Sequence, residues 1–392
     1  MIYLDHAATT AMYPEAIQKM LPFLGKRFYN PSGSYEEGVN NHKEIERVRQ
    51  ELAESIHAKP QEIYFTSGGT ESDNWALVNA VRNYAEKGNH IITTAIEHHA
   101  ILHTCEFLES QGIQVTYLPV NEKGIVEPET LRQAIRPDTI LISVMYANNE
   151  IGTLQPIEEM GAIARERGIL FHTDAVQVYG HLPLDVDKAK IDLLSVSAHK
   201  FGGPKGVGFL YARENVTLTP FIFGGSQEKR KRAGTENIAG IVGMGEAARI
   251  SQQNRQLHYQ REEKMRNYLM DRILSEIQMV RLNGCSDRRL QGNLTVSFRY
   301  VDGQSLIMLL EMKGIYVSGG SACTTADKGS SHVLTALGLP EDMADSALRI
   351  TVGYENTMDE MKYVFHCIQK SVQELRELSP EYTKGFPLAG KD

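Results

Sequence analysis

The chain has 392 residues, 41 basic and 49 acidic side chains, a formal net charge of −8 and 42% hydrophobic residues. This composition is typical of a folded protein that is long enough for two domains, and the acidic balance excludes a uniformly basic nucleic-acid-binding surface. No apolar run is long enough to span a membrane, the N-terminus lacks a signal-peptide pattern, and four cysteines are too few for a disulfide framework. We therefore expect a cytoplasmic protein with reduced cysteines.

Apolar runs alternate with helical stretches through the first half of the chain. The predicted strands are 62–66, 90–93, 113–118, 140–145, 169–172 and 193–196, and the predicted helices are 71–86, 100–110, 128–135 and 157–167. Several of these strands are apolar at nearly every position, which is typical of strands covered on both faces. The alternation predicts an α/β fold with a mainly parallel sheet, in which ligands bind at the carboxyl ends of the strands.

The pattern changes near residue 238. It predicts a long helix over 238–275, strands over 293–298 and 347–351, and helices over 304–312 and 358–375. We expect a large α/β domain over residues 14–257. A smaller α+β domain would comprise residues 1–13 and 258–392 and would carry a loop rich in small residues over about 318–331.

A strand-to-helix turn with two glycines, Ser67-Gly68-Gly69-Thr70, follows the first predicted strand of the sheet. Glycines allow close approach of the backbone to an oxyanion, and a helix N-terminus presents free N–H groups, so the turn suits a phosphate. A plain turn in which Ser67 or Thr70 caps the helix is the alternative.

Two further strand ends carry charged side chains. Asp174 follows a buried strand and could hold a protonated ring nitrogen, or it could simply cap the next helix. Lys200 ends the next strand and could form a Schiff base with a carbonyl, although a lysine in such a place is commonly a solvated surface charge. A phosphate turn, a ring-nitrogen carboxylate and a Schiff-base lysine together match the requirements of pyridoxal 5′-phosphate (PLP).

Cys323 lies in the small-residue loop, where a thiolate could reach a reactant, although an incidental cysteine is the alternative. The other cysteines (Cys105, Cys285 and Cys367) show no reactive context and are interpreted as structural. Weaker candidates are His98 for stacking on a ring, Asn149 for amide hydrogen bonds, Arg349 for a carboxylate or a structural ion pair, and the basic run 228–232, which is either a solvated face or a source of charge near a phosphate.

With these residues assembled, the sequence resembles the cysteine desulfurases of the NifS/IscS type, within the class-V aminotransferase-like PLP enzymes. The resemblance covers nearly the whole chain and implies the PLP-dependent transferase fold of the aspartate aminotransferase type. The motifs that carry it are YLDHAATT (3–10), TSGGTESDN (66–74), NNEIG (148–152), SAHK (197–200), SGGSAC (318–323) and ALGL (336–339).

The resemblance implies a role for each site residue. Lys200 would bind PLP covalently, Asp174 would pair with the ring nitrogen, His98 would stack on the ring as a catalytic residue, and Gln177 would bond the phenolic oxygen. The phosphate would be held by residues of the glycine turn and the SAHK motif, joined by one residue from a second subunit of a homodimer: Gly69, Thr70, Ser197, His199 and Thr235 of the partner subunit. Ala198 and Asn149 would also belong to the cofactor-binding residues.

For the substrate, the resemblance implies that Asn149 and Arg349 bind the carboxylate side of L-cysteine and that Cys323 accepts its sulfur as a persulfide. The products would be L-alanine and sulfur for iron–sulfur cluster assembly or tRNA thiolation, delivered to a cluster scaffold or another acceptor protein, with no direct nucleic-acid or membrane contact. We expect no resident metal, apart from transient iron–sulfur contact through Cys323.

Two stretches depart from the family pattern: Gly353-Tyr354-Glu355, where a Gly-Arg-aromatic sequence is common, and residues 327–331 after the cysteine. Three other functions stay open at this point. They are a selenocysteine lyase or sulfinate-removing relative that does not need Cys323, a plain transaminase that needs a 2-oxo acid, and a non-catalytic protein that binds iron or a cluster through its cysteines.

Overall fold

The computed structural model describes residues 1–319 and 330–385. The strands are β1 (Ile2–Tyr3), β2 (Ile63–Thr66), β3 (His90–Thr94), β4 (Gln114–Leu118), β5 (Thr139–Ser143), β6 (Leu170–Asp174), β7 (Leu193–Ser197), β8 (Gly208–Ala212), β9 (Val280–Leu282), β10 (Asn293–Phe298), β11 (Ile315–Tyr316), β12 (Ser318–Gly319) and β13 (Ala347–Thr351). The helices are α1 (Pro14–Leu24), α2 (Glu36–Ser55), α3 (Gly69–Tyr84), α4 (His99–Ser110), α5 (Pro128–Ala134), α6 (Ile157–Arg167), α7 (Gln227–Arg230), α8 (Ile238–Glu276), α9 (Gly303–Met312), α10 (His332–Ala336), α11 (Glu341–Asp345), α12 (Met358–Leu378) and α13 (Pro380–Gly385).

A seven-stranded sheet in the order β2-β8-β7-β6-β5-β3-β4 forms the centre of the larger part of the molecule. All of its strands run in one direction except β8, which is antiparallel to both β2 and β7. Every residue of β3, β5, β6 and β7 is buried except Leu170, because helices cover both faces of the sheet. The predicted α/β fold with a mainly parallel sheet is confirmed.

A second, antiparallel sheet in the order β12-β13-β10-β9 lies in the C-terminal part of the chain. Its apolar core includes residues of α9 and α12, together with Leu4 from the N-terminal segment. The segment reaches this core because β1 pairs in parallel with β11.

The long helix α8 contributes to both parts of the molecule. Its first turns pack into the core of the large sheet through Ile241 and Met244, whereas Met265 and Leu269 pack into the core of the small one. The boundary expected between residues 257 and 258 therefore falls within one continuous helix. None of the described helices, α8 included, is long and apolar enough to cross a membrane.

Candidate active site

A cavity of about 190 Å³ opens where the parallel strands of the large sheet end. It brings together side chains from the carboxyl ends of β2, β3, β5, β6 and β7, with Arg349 from the small sheet. The lining residues are Ala7, Ala8, Gly69, Thr70, Asp73, His98, Met145, Asn149, Asp174, Val176, Gln177, Ser197, His199, Lys200 and Arg349. Most of the residues that the sequence singles out for a PLP site thus share one cavity.

Lys200 lies in the short helical turn that directly follows β7. Its Nζ donates to the main-chain oxygens of Ala7 and Ala8, at 2.6 and 2.8 Å, so the N-terminal segment holds the amine at the cavity wall. His181 Nε2 lies 2.9 Å from the Lys200 carbonyl oxygen. The chain turns away at Gly202, whose φ of +81° and contact with the Tyr13 ring leave no room for a Cβ.

Two buried carboxyl groups, those of Asp73 and Asp174, line the cavity. Asp174 ends β6 and accepts a hydrogen bond from the Val176 N–H at 2.8 Å, yet burial raises the pKa of its carboxyl to about 6. Burial and the neighbouring Asp174 raise the pKa of Asp73 as well, and Asp73 Oδ1 has no hydrogen-bond partner among the described residues.

A neighbouring positive charge would stabilise the ionised form of these buried carboxyl groups. His172, whose Nε2 is 3.7 Å from Asp73 Oδ1, does not supply it, because burial lowers the pKa of the imidazole to about 3. A protonated ring nitrogen beside Asp174 would supply it, so the donor set at this end of the cavity fits PLP.

His98 is placed for contact with a flat ring. It caps the N-terminus of α4, where its Nδ1 accepts the Ala100 N–H at 3.1 Å. That hydrogen bond fixes the orientation of the ring against the cavity. Burial first, and then the charge of Lys200, lower the pKa of His98 to about 4, so the imidazole is neutral at physiological pH.

The glycine turn and the SAHK motif meet at one end of the cavity. A Cβ on Gly69 would lie 2.7 Å from Val176 Cγ2, so only glycine allows the turn to pack this closely. Thr70, Ser197 and His199 line the space in front of it. His199 Nδ1 lies 3.1 Å from Thr9 Oγ1, and burial lowers the pKa of His199 to about 4.

Two of the residues that the resemblance assigns to the cofactor do not line this cavity. Ala198 is buried, and its N–H donates to the Val207 carbonyl oxygen at 3.1 Å. Thr235 is exposed on the surface of its own chain. A contact of Thr235 with the phosphate of a second subunit stays a prediction.

Arg349 lies on β13, is 1% exposed and lines the cavity together with Lys200. Its guanidinium donates to Asp5 Oδ1 at 2.8 Å and to the Asn149 main-chain oxygen at 3.3 Å. The Arg349 Nε has no hydrogen-bond partner within residues 1–319 and 330–385. A buried, unused guanidinium N–H suits a substrate carboxylate. Gln177 completes this side, with Nε2 donating to the Ala7 oxygen at 3.0 Å.

Cys323 lies outside the described residues. Before that stretch, the last described strand is β12, in which Ser318 pairs with Arg349 of β13. The three described cysteines (Cys105, Cys285 and Cys367) are buried. Of the two departures from the family pattern, the first includes Tyr354, whose ring stacks on His258 with the ring centroids 5.0 Å apart. In the second, residues 327–329 lie outside the described residues, and Ser331 donates to the buried carboxyl group of Glu150.

Asp73 and Asp5 were not assigned roles from the sequence. Asp73 had a usable signal: with Ala76, Leu77 and Ala80 it occupies the buried face of α3, where a carboxylate needs an explanation. Asp5 had none, because it meets Arg349 only through the pairing of β1 with the small part of the molecule.

The profile of the Aminotransferase class-V family matches residues 2–364. The chain is 50% identical over 390 residues to "Cysteine desulfurase IscS" of Methanosarcina thermophila, covering 98% of this chain and 95% of that protein. Among solved structures, "NIFS-LIKE PROTEIN" superposes with a TM-score of 0.90 at 35% identity (95% and 99% of the two chains), and "SspA in complex with cysteine" with 0.80 at 36% (91% and 100%). The chain belongs to the class-V aminotransferase family, in its IscS/NifS-type cysteine desulfurase branch.

Proposed function

We propose that the chain is a PLP-dependent cysteine desulfurase, which takes the sulfur of L-cysteine, leaves L-alanine and supplies sulfur for iron–sulfur cluster assembly or tRNA thiolation. The observation that carries this proposal is the buried cavity in which Lys200 Nζ, the Asp174 carboxyl and the Arg349 guanidinium converge. The likeness to proteins named cysteine desulfurase over nearly the full length supports the choice of reaction.

Substrate binding follows from the buried polar groups that face the cavity. Arg349 binds the carboxylate of cysteine through the Nε that no described residue uses, and Asp5 and the Asn149 carbonyl fix the plane of its guanidinium. The Asn149 side chain, which also lines the cavity, orients the amino acid. The carboxylate side of the substrate would thereby be held within the cavity.

PLP, when bound, accepts the electron pair that is released at the substrate Cα. Asp174 would hold the proton on the ring nitrogen, which would keep the ring electron-deficient. His98, a neutral imidazole, would contact the ring. The Lys200 amine, placed by the Ala7 and Ala8 oxygens, takes the Cα proton at its Nζ and returns a proton later as general acid.

The sulfur leaves by nucleophilic attack. The Cys323 thiolate attacks the substrate sulfur; the S–S bond forms while the substrate C–S bond breaks, and the electron pair of that bond remains on the substrate carbon. Protonation of that carbon and return of a proton from Lys200 to Cα give alanine, and Cys323 carries the persulfide. An acceptor protein then receives the outer sulfur by a second thiolate attack.

We further propose a homodimer in which Thr235 of the partner subunit reaches the phosphate. Its exposure in the single chain supports this arrangement, because an exposed threonine is free to contact a second subunit. The two phosphate sites would then each be completed by the other chain.

The Cys323→Ala variant tests the reaction. We expect L-cysteine to bind and change the absorption spectrum of the bound cofactor, while alanine and sulfide production fall to background, because no thiolate takes the sulfur. The control is Cys367→Ala, which removes a buried thiol in the small core and should keep full turnover. Alanine release by Cys323→Ala at the wild-type rate would remove Cys323 from the mechanism.

A further inference from the structure

Strand β2 lies at one edge of the large sheet as described, with β4 at the other edge, and it leads straight into the glycine turn. Side chains satisfy the main-chain groups along its outer edge. The Ile63 oxygen accepts from Arg49 at 2.8 Å, the Phe65 N–H donates to Glu228 at 2.9 Å, and the Ser67 N–H donates to Glu71 Oε2 at 2.8 Å. The main chain at residues 63, 65 and 67, along this edge and into the turn, is thus hydrogen-bonded to charged side chains.

Each of these carboxylates belongs to an ion pair. Arg49 and Glu228 make two hydrogen bonds, at 2.7 and 2.8 Å, and both are buried. Arg232 and Glu71 also make two, at 2.9 and 3.1 Å. Although burial opposes it, the hydrogen bonds from Arg232 and Ser67 lower the pKa of Glu71, so this carboxylate is ionised.

The chain holds Arg232 firmly in this position. Its main chain pairs with Ile222 in an isolated bridge, and the Ala233 N–H donates to the Ile222 oxygen at 3.1 Å. Just before it, Glu228, Lys229 and Arg230 have successive φ values of 45°, 57° and 65°. Non-glycine residues rarely adopt this conformation, and the buried pair with Arg49 holds the run in place.

We propose that Arg232 and Glu71 are positioning residues for the PLP phosphate. Glu71 fixes the first N–H of the turn, and Arg232 offsets the negative charge that Glu71 brings close to the phosphate. The inference rests on the proposed function, since it takes Ser67-Gly68-Gly69-Thr70 to hold the phosphate. Without Arg232, an ionised Glu71 would stand beside the phosphate dianion and repel it.

The two roles can be separated by substitution. Arg232→Gln leaves the carboxylate uncompensated. Glu71→Gln removes the charge but keeps an amide oxygen that can accept the Ser67 N–H. In the double variant Glu71→Gln/Arg232→Gln, both charges are absent and the hydrogen bond to the turn is retained, so the repulsion disappears.

The experiment titrates the apo-proteins with PLP and, separately, with pyridoxal, which lacks the phosphate. For Arg232→Gln we expect the Kd for PLP to rise about tenfold, which corresponds to the loss of roughly one charge-assisted contact. The Kd for pyridoxal should be unchanged. The double variant should regain most of the PLP affinity. Arg132→Gln, which breaks an exposed Arg–Glu pair between α5 and α6, is the control and should bind both compounds like the wild type.

Three results would overturn the proposal: an unchanged Kd for PLP in Arg232→Gln, equal losses for PLP and pyridoxal, or a double variant as weak as Arg232→Gln alone. A separate outcome tests the proposed cofactor site. If the wild-type protein bound PLP no more tightly than pyridoxal, the turn would have no role in binding the phosphate, and the proposed cofactor site would be contradicted.

Discussion

At the scale of single residues, two buried acids adjoin residues that line the cavity: Glu97 precedes His98, and Glu150 follows Asn149. Burial raises the pKa of Glu97 to about 8, with Asp174 adding to the shift, and raises that of Glu150 to about 7. Glu97 Oε1 accepts from Thr94 and from the Met145 N–H, but Glu97 Oε2 has no hydrogen-bond partner among the described residues. These carboxyl groups favour the protonated form in the folded protein.

The pH dependence of stability follows from this shift. Between the ordinary glutamate pKa of 4.5 and about 8, folded Glu97 keeps a proton that the unfolded chain has lost, so stability falls as pH rises. In apo-protein, the Glu97→Gln variant should lose about 1 kcal/mol less per pH unit than the wild type. Urea unfolding at about pH 5.5 and about pH 7.5 measures this difference. Parallel pH profiles for the two proteins would show that Glu97 titrates normally.

At the scale of elements, the buried strands were the most predictable features. Residues 140–145, 169–172 and 193–196 were predicted as strands and overlap β5, β6 and β7, because a strand covered on both faces must be apolar throughout. Strand β8 has no counterpart among the predicted strands. It begins at Gly208, where a Cβ would lie 2.2 Å from the Val196 oxygen. This requirement for glycine comes from the neighbouring strand β7, so the sequence around Gly208 does not reveal it.

The edge of β2 offers a prediction at the same scale. Arg49→Met leaves the buried Glu228 carboxylate unpaired and should lower the free energy of unfolding by about 3–5 kcal/mol. Arg47→Met on the same helix breaks ion pairs that are partly exposed to solvent, and should cost less than about 1 kcal/mol. Chemical denaturation of both variants makes the comparison. Equal losses would mean that the Arg49–Glu228 pair does not secure the edge.

At the scale of the whole molecule, the site is assembled from distant parts of the chain. The turn at Gly69, Asp174 and Lys200 could be predicted to meet, because the carboxyl ends of parallel strands share one edge of a sheet. The pairing of Asp5 with Arg349, 344 residues apart, could not, because it depends on how β1 docks on β11. The same docking brings the oxygens of Ala7 and Ala8 to Lys200 Nζ.

The central claim is that the amine of Lys200 is the covalent attachment point of PLP. Borohydride reduction of the holoprotein, followed by peptide mapping with mass spectrometry, tests it most directly. We expect one reduced pyridoxyl phosphate group per chain, on the peptide that contains Lys200, and no attachment in Lys200→Ala. A label on another lysine of the wild-type protein, or no label at all, would contradict it.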